Sequence, residues 1–311
     1  KNPHVKQKCL KIFHEFEDVF QDVIGCAPKQ FEINAKIEGN ATLTRKQQVA
    51  KSKDIDIYYH ERFYGKTRFF FEKYMPHDFP MRKKEFIKMK DHLSDQTINS
   101  LGENFFKRKV KGQGVYEKSY AKGPENYLSE ELILKINESK SKHMKILSYY
   151  TSSDDEYHVI DKTTNRYPHW KSQIHAISTI CDIANELNYY LIVKVHPNLE
   201  NKSDSEKARW ANLANEVKQK GFYWISQRDN DSTYSLIRES DAVVTAGSTV
   251  GIEAIYLETP SFSIADCYYD TVIKSIKLCK SPNELRSILK DDLSLTKPKK
   301  EESYIYGAWV M

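Results

Sequence analysis

The second half of the chain alternates short apolar runs with longer amphipathic segments. The apolar runs are rich in β-branched and aromatic side chains, which is typical of buried strands; they lie at residues 145–151, 189–195, 222–225, 242–245 and 260–265. Between them, apolar residues recur three or four positions apart, which predicts helices; these lie at residues 168–187, 203–220, 231–239, 250–257 and 281–289. The alternation predicts an α/β fold built on a doubly wound parallel sheet.

Polar segments follow three of the predicted strands. They have the sequences SSDDE at 152–156, HPN at 196–198 and AGST at 246–249. Parallel sheets of this kind bind ligands at the carboxyl ends of their strands. We therefore expect the three segments to lie along one rim of the sheet and to form the ligand site.

The first half of the chain has a less regular pattern. Residues 6–23 have the apolar spacing of an amphipathic helix, and 82–90 form a basic helix. Strand-like runs lie at 55–59 and 67–71, and the Gly-containing stretch 110–123 is typical of a loop. These elements do not by themselves identify a fold for this half.

Charge separates the two halves. Residues up to Lys145 include 29 basic and 20 acidic side chains, and the rest of the chain has 19 and 23, so the net charge of +5 divides into +9 and −4. A polar stretch at 138–145 predicts a domain boundary, with one domain at 1–143 and a second at 144–311. The opposite charges indicate that the two domains meet different partners.

Several classes of protein are excluded by the composition. No apolar run approaches the roughly 20 residues that a membrane-spanning helix needs, and the first 25 residues lack the apolar core of a signal peptide. Five cysteines without C-x-x-C spacing favour reduced thiols in a cytosolic protein, and we expect no metal site. The chain begins with Lys1 and not with methionine, so we allow for a missing N-terminal segment.

The clearest candidate site begins with Gly247 and ends with Glu253. A strand that runs into a small polar turn and then a helix presents backbone N–H groups and the hydroxyls of Ser248 and Thr249 to an anion such as phosphate or carboxylate. Glu253 lies one turn further on the same helix face, where its carboxylate can accept hydrogen bonds from a ribose diol. The alternative is an ordinary cap and a solvated glutamate. The apolar neighbours of Glu253 predict a buried helix, and a buried carboxylate needs a partner.

Two further groups lie on the same predicted rim. His196 follows a buried strand that Pro197 ends, and its imidazole can donate a hydrogen bond to a phosphate oxygen. Ser152 and Ser153 can meet a sugar or phosphate with their hydroxyls and amides. A loop histidine bonded to a carbonyl, and serines that merely form a turn, are the alternatives.

Charged residues follow both strand-like runs of the first half. His60-Glu61 and His77-Asp78 each pair an imidazole with a carboxylate that can deprotonate a hydroxyl nucleophile. Arg62 can hold an anionic group with two hydrogen bonds. Surface ion pairs are the alternative. The basic clusters at 82–84 and 107–109 are expected to be solvated faces, or contacts to anionic lipid or polysaccharide.

The motifs of the second half resemble a known family. The segments LIVKVHPN at 191–198, SLIRESD at 235–241 and DAVVTAGSTVGIEAIYLETP at 241–260 resemble the C-terminal domain of bacterial capsule and surface-polysaccharide biosynthesis glycosyltransferases, a group that includes Kdo transferases using CMP-Kdo. The resemblance implies a GT-B fold, with two Rossmann-like domains facing a cleft. It implies an acceptor-side domain at 1–143, and a nucleotide-sugar-binding domain at 144–311 whose last helix crosses back.

The resemblance also implies roles for individual residues. His196, with Pro197, would meet the donor phosphate, Ser248 and Thr249 would hold phosphate or carboxylate, and Glu253 would hold the ribose. GT-B enzymes generally need no metal, and we expect no cofactor other than the nucleotide-sugar donor, which is a substrate.

The resulting hypothesis is a glycosyltransferase that moves a sugar from a CMP-Kdo-like, UDP- or GDP-linked donor to a growing capsule, O-antigen or lipopolysaccharide. Catalysis is assigned to Glu61, His60 and Asp78, and acceptor binding to Arg62 and His77. The expected partners are the nucleotide sugar and an anionic or lipid-linked glycan, without nucleic acid, in a cytoplasmic protein that can contact the inner face of the cell membrane. The alternatives are a nucleotide-sugar 2-epimerase or polyol-phosphate transferase on the same fold, and a non-catalytic basic protein that binds polysaccharide or nucleic acid.

Overall fold

The computed structural model describes residues 59–63, 68–72, 79–111, 127–153, 167, 169–291, 293 and 297–311, with the backbone alone for the first two ranges. All of them lie in one unit of the chain, Ile55–Met311. The strands are β1 (Tyr59–Phe63), β2 (Arg68–Glu72), β3 (Lys145–Tyr150), β4 (Tyr189–Lys194), β5 (Tyr223–Ile225), β6 (Ala242–Thr245), β7 (Ser261–Ser263) and β8 (Ile276–Leu278). The helices are α1 (Phe79–His92), α2 (Asp95–Val110), α3 (Glu130–Ser141), α4 (Gln173–Glu186), α5 (Asp204–Gln219), α6 (Thr233–Glu239), α7 (Val250–Tyr256), α8 (Pro282–Lys290) and α9 (Lys300–Val310), with a 3-10 helix at Pro197–Asn201.

Strands β3 to β8 form one parallel sheet in the order β5-β4-β3-β6-β7-β8. The chain builds outward from β3 to β5, returns to place β6 against the other side of β3, and builds outward again to β8. This is the strand order of a doubly wound dinucleotide-binding sheet, whose ligand crevice opens where the order reverses. The prediction of a doubly wound parallel sheet is confirmed, and its crevice lies between the carboxyl ends of β3 and β6.

The central strands form the core of the sheet. Every residue of β6 and all but Lys145 of β3 are buried, because helices cover both faces of a parallel sheet. Serine side chains accept backbone hydrogen bonds at the starts of four of these helices: Ser172, Ser203, Ser232 and Ser281. Helix α4 therefore begins at Gln173 and not at residue 168.

Strand β8 was missed by the sequence analysis. It has three residues, of which Ile276 alone is buried, so its hydrophobic pattern is too short to stand out. It pairs in parallel with β7 and completes the sheet at that edge.

Helices α1, α2 and α9 form a second apolar cluster with α7. Phe86, Phe106 and Tyr306 are almost fully buried in it, together with Ile252 and Ile255 of α7. The predicted C-terminal helix is thus present as α9, packed against α2 and α7.

Helix α2 approaches α9 closely at two glycines. A Cβ atom added to Gly102 would lie 2.3 Å from the Tyr304 carbonyl oxygen, and one added to Gly307 would lie 2.7 Å from Gly102 Cα. The two backbones meet where neither residue has a side chain.

Arg82 corrects the expectation of a solvated face at 82–84. Its side chain is buried, pairs with Glu85 at 2.9 Å and lies with Cζ 5.4 Å from the centre of the Trp309 ring. A guanidinium can be buried in this way because its flat face packs on an aromatic ring while its edge meets a carboxylate.

Strands β1 and β2 form an antiparallel pair that runs from Tyr59 opposite Glu72 to Phe63 opposite Arg68. His60, Glu61 and Arg62 therefore lie within β1 and do not follow a strand that ends at residue 59, because the pairing with β2 continues through them.

His77 and Asp78 lie outside the described residues, as do the predicted helix at 6–23 and most of the loop at 110–123. The second Rossmann-like domain expected over 1–143 falls largely on such residues and stays a prediction, as does the domain boundary. None of the helices in the described ranges is long and apolar enough to cross a bilayer.

Candidate functional site

The reversal of the strand order brings the predicted rim segments together. Thr151–Ser153 follow β3, His196 follows β4 after one residue, and Ala246–Thr249 follow β6, the strand beside β3. These segments end neighbouring parallel strands at the same edge of the sheet, as the sequence predicts.

The segments after β3 and β4 are tied to each other by side chains. The backbone N–H of His196 donates to Thr151 Oγ1 at 2.7 Å, and Asn198 Nδ2 donates to Ser153 Oγ at 2.8 Å. Gln173 at the start of α4 accepts from the Ser152 backbone N–H at 2.7 Å and donates to its carbonyl at 3.0 Å. This part of the rim is therefore held in place before any ligand arrives.

His196 has a defined hydrogen-bonding role. Its Nδ1 accepts from the backbone N–H of Asn198 at 3.2 Å, at the start of the 3-10 helix that Pro197 opens. In the neutral ring, an acceptor at Nδ1 places the proton on Nε2, which is then a donor. The half-buried imidazole can thus offer a hydrogen bond to an anion at the rim without carrying a full charge.

The turn after β6 is shaped by Gly247, whose φ of +77° is a conformation that other residues rarely adopt. Ser248 Oγ accepts weakly from the Val250 N–H at 3.4 Å, and the Thr249 side chain makes no capping bond to α7. The Ser248 carbonyl accepts a hydrogen bond from the buried Tyr269 hydroxyl at 2.7 Å, which helps to fix the turn. Because α7 has only seven residues, the case for anion binding depends on these hydroxyls and the neighbouring rim more than on the helix dipole.

Glu253 is buried, with 6% of its surface exposed. Its Oε1 lies 2.5 Å from Lys109 Nζ at the C-terminal end of α2. The pKa of the Tyr234 phenol lies well above its usual value. The main cause is burial, and the second is the charge of the nearby Glu253. The alternative of a solvated glutamate is wrong, and the expectation that a buried carboxylate has a partner is confirmed.

Lys109 is the main functional candidate that the sequence analysis missed. The cluster 107–109 was expected to be solvated, and this holds for Lys107, which is exposed and pairs with Glu103 at 2.9 Å. Lys109 differs because it lies four residues after Phe105 and three after Phe106, on the buried face of α2. That helical spacing was the signal that could have identified it.

Lys194 at the end of β4 is a second residue whose environment the sequence did not reveal. Its ammonium donates to the Asp231 carbonyl, and burial lowers the pKa of Lys194 to about 8. Asp231 is itself buried and accepts from the Ser129 N–H at 2.6 Å. These groups lie toward β5, where a cavity of about 710 Å³ follows the outer edge of the sheet, away from the crevice between β3 and β6.

Within the described part of the chain, no three His, Cys, Asp or Glu side chains come together to hold a metal ion. The roles assigned to His60, Glu61, Arg62, His77 and Asp78 stay predictions, because no side chain of these residues is described.

Comparisons with known proteins identify part of the chain. No curated protein sequence matches it. Among solved structures it is similar to KpsC of Thermosulfurimonas dismutans, titled a beta Kdo 2,4 transferase, with 10% identity, a TM-score of 0.49 and coverage of 86% of this chain and 76% of that chain. It is also similar to S. aureus MnaA in a UDP co-structure, with 11% identity, a TM-score of 0.39 and coverage of 58% and 45%. The wall teichoic acid polymerase TagF matches with 14% identity, a TM-score of 0.34 and coverage of 55% and 41%.

A family model matches more directly. Residues 162–272 match the model described as "Capsule polysaccharide biosynthesis protein". The matched segment contains His196, Ser248, Thr249 and Glu253, and it includes all three motifs that carry the resemblance found in the sequence. The resemblance found in the sequence is confirmed by this match to the model of the capsule polysaccharide biosynthesis proteins over residues 162–272.

Proposed function

We propose that the protein is a glycosyltransferase that transfers a sugar from a nucleotide-activated donor to a growing bacterial surface polysaccharide. One observation carries the proposal. The crevice between β3 and β6 gathers hydroxyls, an imidazole and a buried carboxylate within a segment that matches the capsule polysaccharide biosynthesis family. Ligands of doubly wound sheets bind at this position.

The groups of the rim fit the parts of a nucleotide. Glu253 accepts hydrogen bonds from the ribose diol, and Ser248, Thr249 and His196 Nε2 donate to the phosphates. Ser152 and Ser153 line the β3 side of the same crevice. The donor therefore lies with its ribose toward α7 and its phosphates across the rim.

These groups also suit the chemistry of transfer. The bond between the anomeric carbon and the phosphate oxygen breaks, an acceptor hydroxyl forms the new glycosidic bond, and its proton passes to a base. Negative charge grows on the leaving nucleotide, and donors already positioned at the rim stabilise it. The base and the acceptor contacts are assigned to His60, Glu61, Asp78, Arg62 and His77. In this proposal the reaction uses no metal and no cofactor other than the donor.

The donor is a CMP-Kdo-like, UDP- or GDP-linked sugar, and the acceptor is an anionic or lipid-linked glycan. The protein acts in the cytoplasm and can contact the inner face of the cell membrane.

Isothermal titration with CMP, UDP and GDP tests the donor site. We expect one of them to bind with a micromolar Kd, and Ser248→Ala and His196→Ala each to weaken it about tenfold, as expected for loss of a hydrogen bond to a charged group. Ser205→Ala, on the exposed surface of α5, is the matched control. Absence of binding by all three nucleotides, or equal binding by the rim variants and the control, contradicts the proposal.

Incubation of each nucleotide sugar without an acceptor separates transfer from epimerisation. A transferase leaves the sugar's configuration unchanged. Formation of an epimer would instead assign the protein to the 2-epimerase alternative.

A further inference from the structure

We infer that Lys109 is a positioning residue that holds Glu253 in the orientation that binds a ribose diol. The inference rests on the proposed function and deepens it, since it assigns to helix α2 a part in donor recognition. In the sequence Lys109 belongs only to the basic cluster 107–109, and the matched family segment begins 53 residues later, at residue 162.

The contact between the two side chains is specific and shielded. Lys109 Nζ lies 2.5 Å from Glu253 Oε1, with 27% of the lysine side chain and 7% of the glutamate side chain exposed. No other ion pair to Glu253 is present among the described residues. A carboxylate buried to this degree needs a charged or hydrogen-bonding partner, and the Lys109 ammonium is that partner.

The pairing leaves Glu253 with room for a ligand. An ionised carboxylate has about four lone-pair positions on its two oxygens, and the bond to Lys109 uses one of them on Oε1. The buried hydroxyl of Tyr234 lies near the Glu253 carboxylate, whose charge acts on it. The remaining lone-pair positions of the Glu253 carboxylate can accept hydrogen bonds from a hydroxyl-bearing ligand.

The position of Lys109 is fixed by packing on both sides. The Phe106 ring stacks on Tyr256 of α7 with centroids 4.7 Å apart and an angle of 14° between the planes. Lys109 Nζ lies 5.7 Å from the centre of the Phe105 ring, one turn earlier. Helix α2 is therefore held against the helix that carries Glu253, and the ammonium reaches the carboxylate from a rigid base.

A second ion pair joins the same two parts of the fold. Lys83 of α1 lies 2.9 Å from Asp270, the residue after Tyr269, whose hydroxyl supports the Ser248 turn. Helix α1 thus contacts the segment whose Tyr269 supports the Ser248 turn, and helix α2 contacts α7, which carries Glu253. Of the two lysines, Lys109 is the one that contacts a proposed ligand-binding side chain directly, namely Glu253.

The test compares ribonucleotides with their 2′,3′-dideoxy analogues. For the nucleotide that the wild-type protein binds, we expect the ribose form to bind about tenfold more tightly. Lys109→Met is expected to abolish that preference by raising the Kd of the ribonucleotide about tenfold while leaving the Kd of the dideoxy form within twofold. Lys109→Arg is expected to keep most of the preference, since a guanidinium also donates to the carboxylate. Lys107→Met, which removes an exposed pair from the same helix, is expected to behave as wild type.

The dideoxy comparison distinguishes positioning from a purely structural role. If Lys109→Met weakens both nucleotide forms equally, or changes neither, the inference is wrong. If it tightens binding of the ribonucleotide, Lys109 competes with the ribose, and the inference is also wrong. Should Lys109→Met fail to fold, Glu253→Gln and Lys109→Arg carry the same comparison, with the preference expected to be lost in the first and kept in the second. Failure of the wild-type protein to bind any nucleotide contradicts the proposed function, and this measurement needs no variant.

Discussion

At the crossing of α2 and α9, we expect replacement of a glycine by alanine to destabilise the protein, although helix propensity alone would predict stabilisation. Gly102 lies inside α2, where alanine is ordinarily about 0.5–1 kcal/mol more favourable than glycine. A Cβ atom at this position would lie 2.3 Å from the Tyr304 carbonyl oxygen and 2.4 Å from its Cα. These are backbone atoms, so a change of rotamer cannot relieve the overlap.

The magnitude follows from what must move. Relief of the overlap requires the two helices to separate by about 1 Å, the difference from an ordinary non-bonded distance of about 3.5 Å. That separation loosens the aromatic cluster in which Phe105 lies 5.9 Å from Tyr306, centre to centre. Overpacking of this kind costs about 1–3 kcal/mol or more. After subtraction of the propensity gain, we expect Gly102→Ala to destabilise the fold by about 2 kcal/mol, which lowers the Tm by roughly 4–8 °C.

Thermal and urea unfolding followed by circular dichroism measure this effect. Asn104→Ala, on the exposed side of the same helix, is the matched control and is expected to be slightly stabilising. If Gly102→Ala raises the Tm in the same way as Asn104→Ala, the close approach of α2 and α9 does not exist and the reasoning is refuted.

Three further predictions concern buried groups. Lys194→Met removes a lysine whose pKa is lowered by burial to about 8. Because the unfolded chain binds that proton more tightly, the free energy of unfolding of the wild type relative to the variant should rise between about pH 8 and pH 10.5. A difference that does not change with pH would contradict this. Tyr269→Phe removes the hydroxyl that donates to the Ser248 carbonyl and should lower the urea unfolding free energy by about 1–2 kcal/mol, whereas an unchanged midpoint would show that the bond contributes nothing. Burial raises the pKa of the thiols of Cys181, Cys267 and Cys279 to about 12. Peptide mapping after maleimide treatment at pH 8 should therefore find that these thiols are labelled at least a hundredfold more slowly in native than in urea-unfolded protein. Fast labelling of the native protein would show that they are accessible and contradict the prediction.

The sequence predicted the sheet because its strands and helices have strong local signals. The apolar runs of β3, β4 and β6 are buried along almost their whole length, and serine caps mark where the helices begin. The rim followed from these elements, since neighbouring parallel strands end at the same edge. Local pattern was insufficient for β8, which has one buried residue.

The sequence could predict that Glu253 has a partner but not which one. Burial was evident from its neighbours in α7, whereas Lys109 is 144 residues earlier and belongs to a helix whose packing on α7 is a property of the whole fold. The buried state of Arg82 was missed for the same reason, because its aromatic neighbour Trp309 is near the other end of the chain. Basic clusters look solvated in sequence until the elements that cover them are known.

The position of β6 beside β3 also has a consequence for how the protein folds. Leu147 pairs with Ala242, 95 residues later, whereas β3, β4 and β5 are joined by successive crossovers of shorter range. Contacts of such long range form late, because the chain loses more entropy in closing the larger loop. The wall of the crevice that carries Ser153 and His196 depends on the pairing of β3 with β4, whereas the opposite wall needs the long-range pairing of β3 with β6. A ligand that contacts both walls binds only chains in which β6 is paired with β3, and its binding therefore stabilises that long-range pairing.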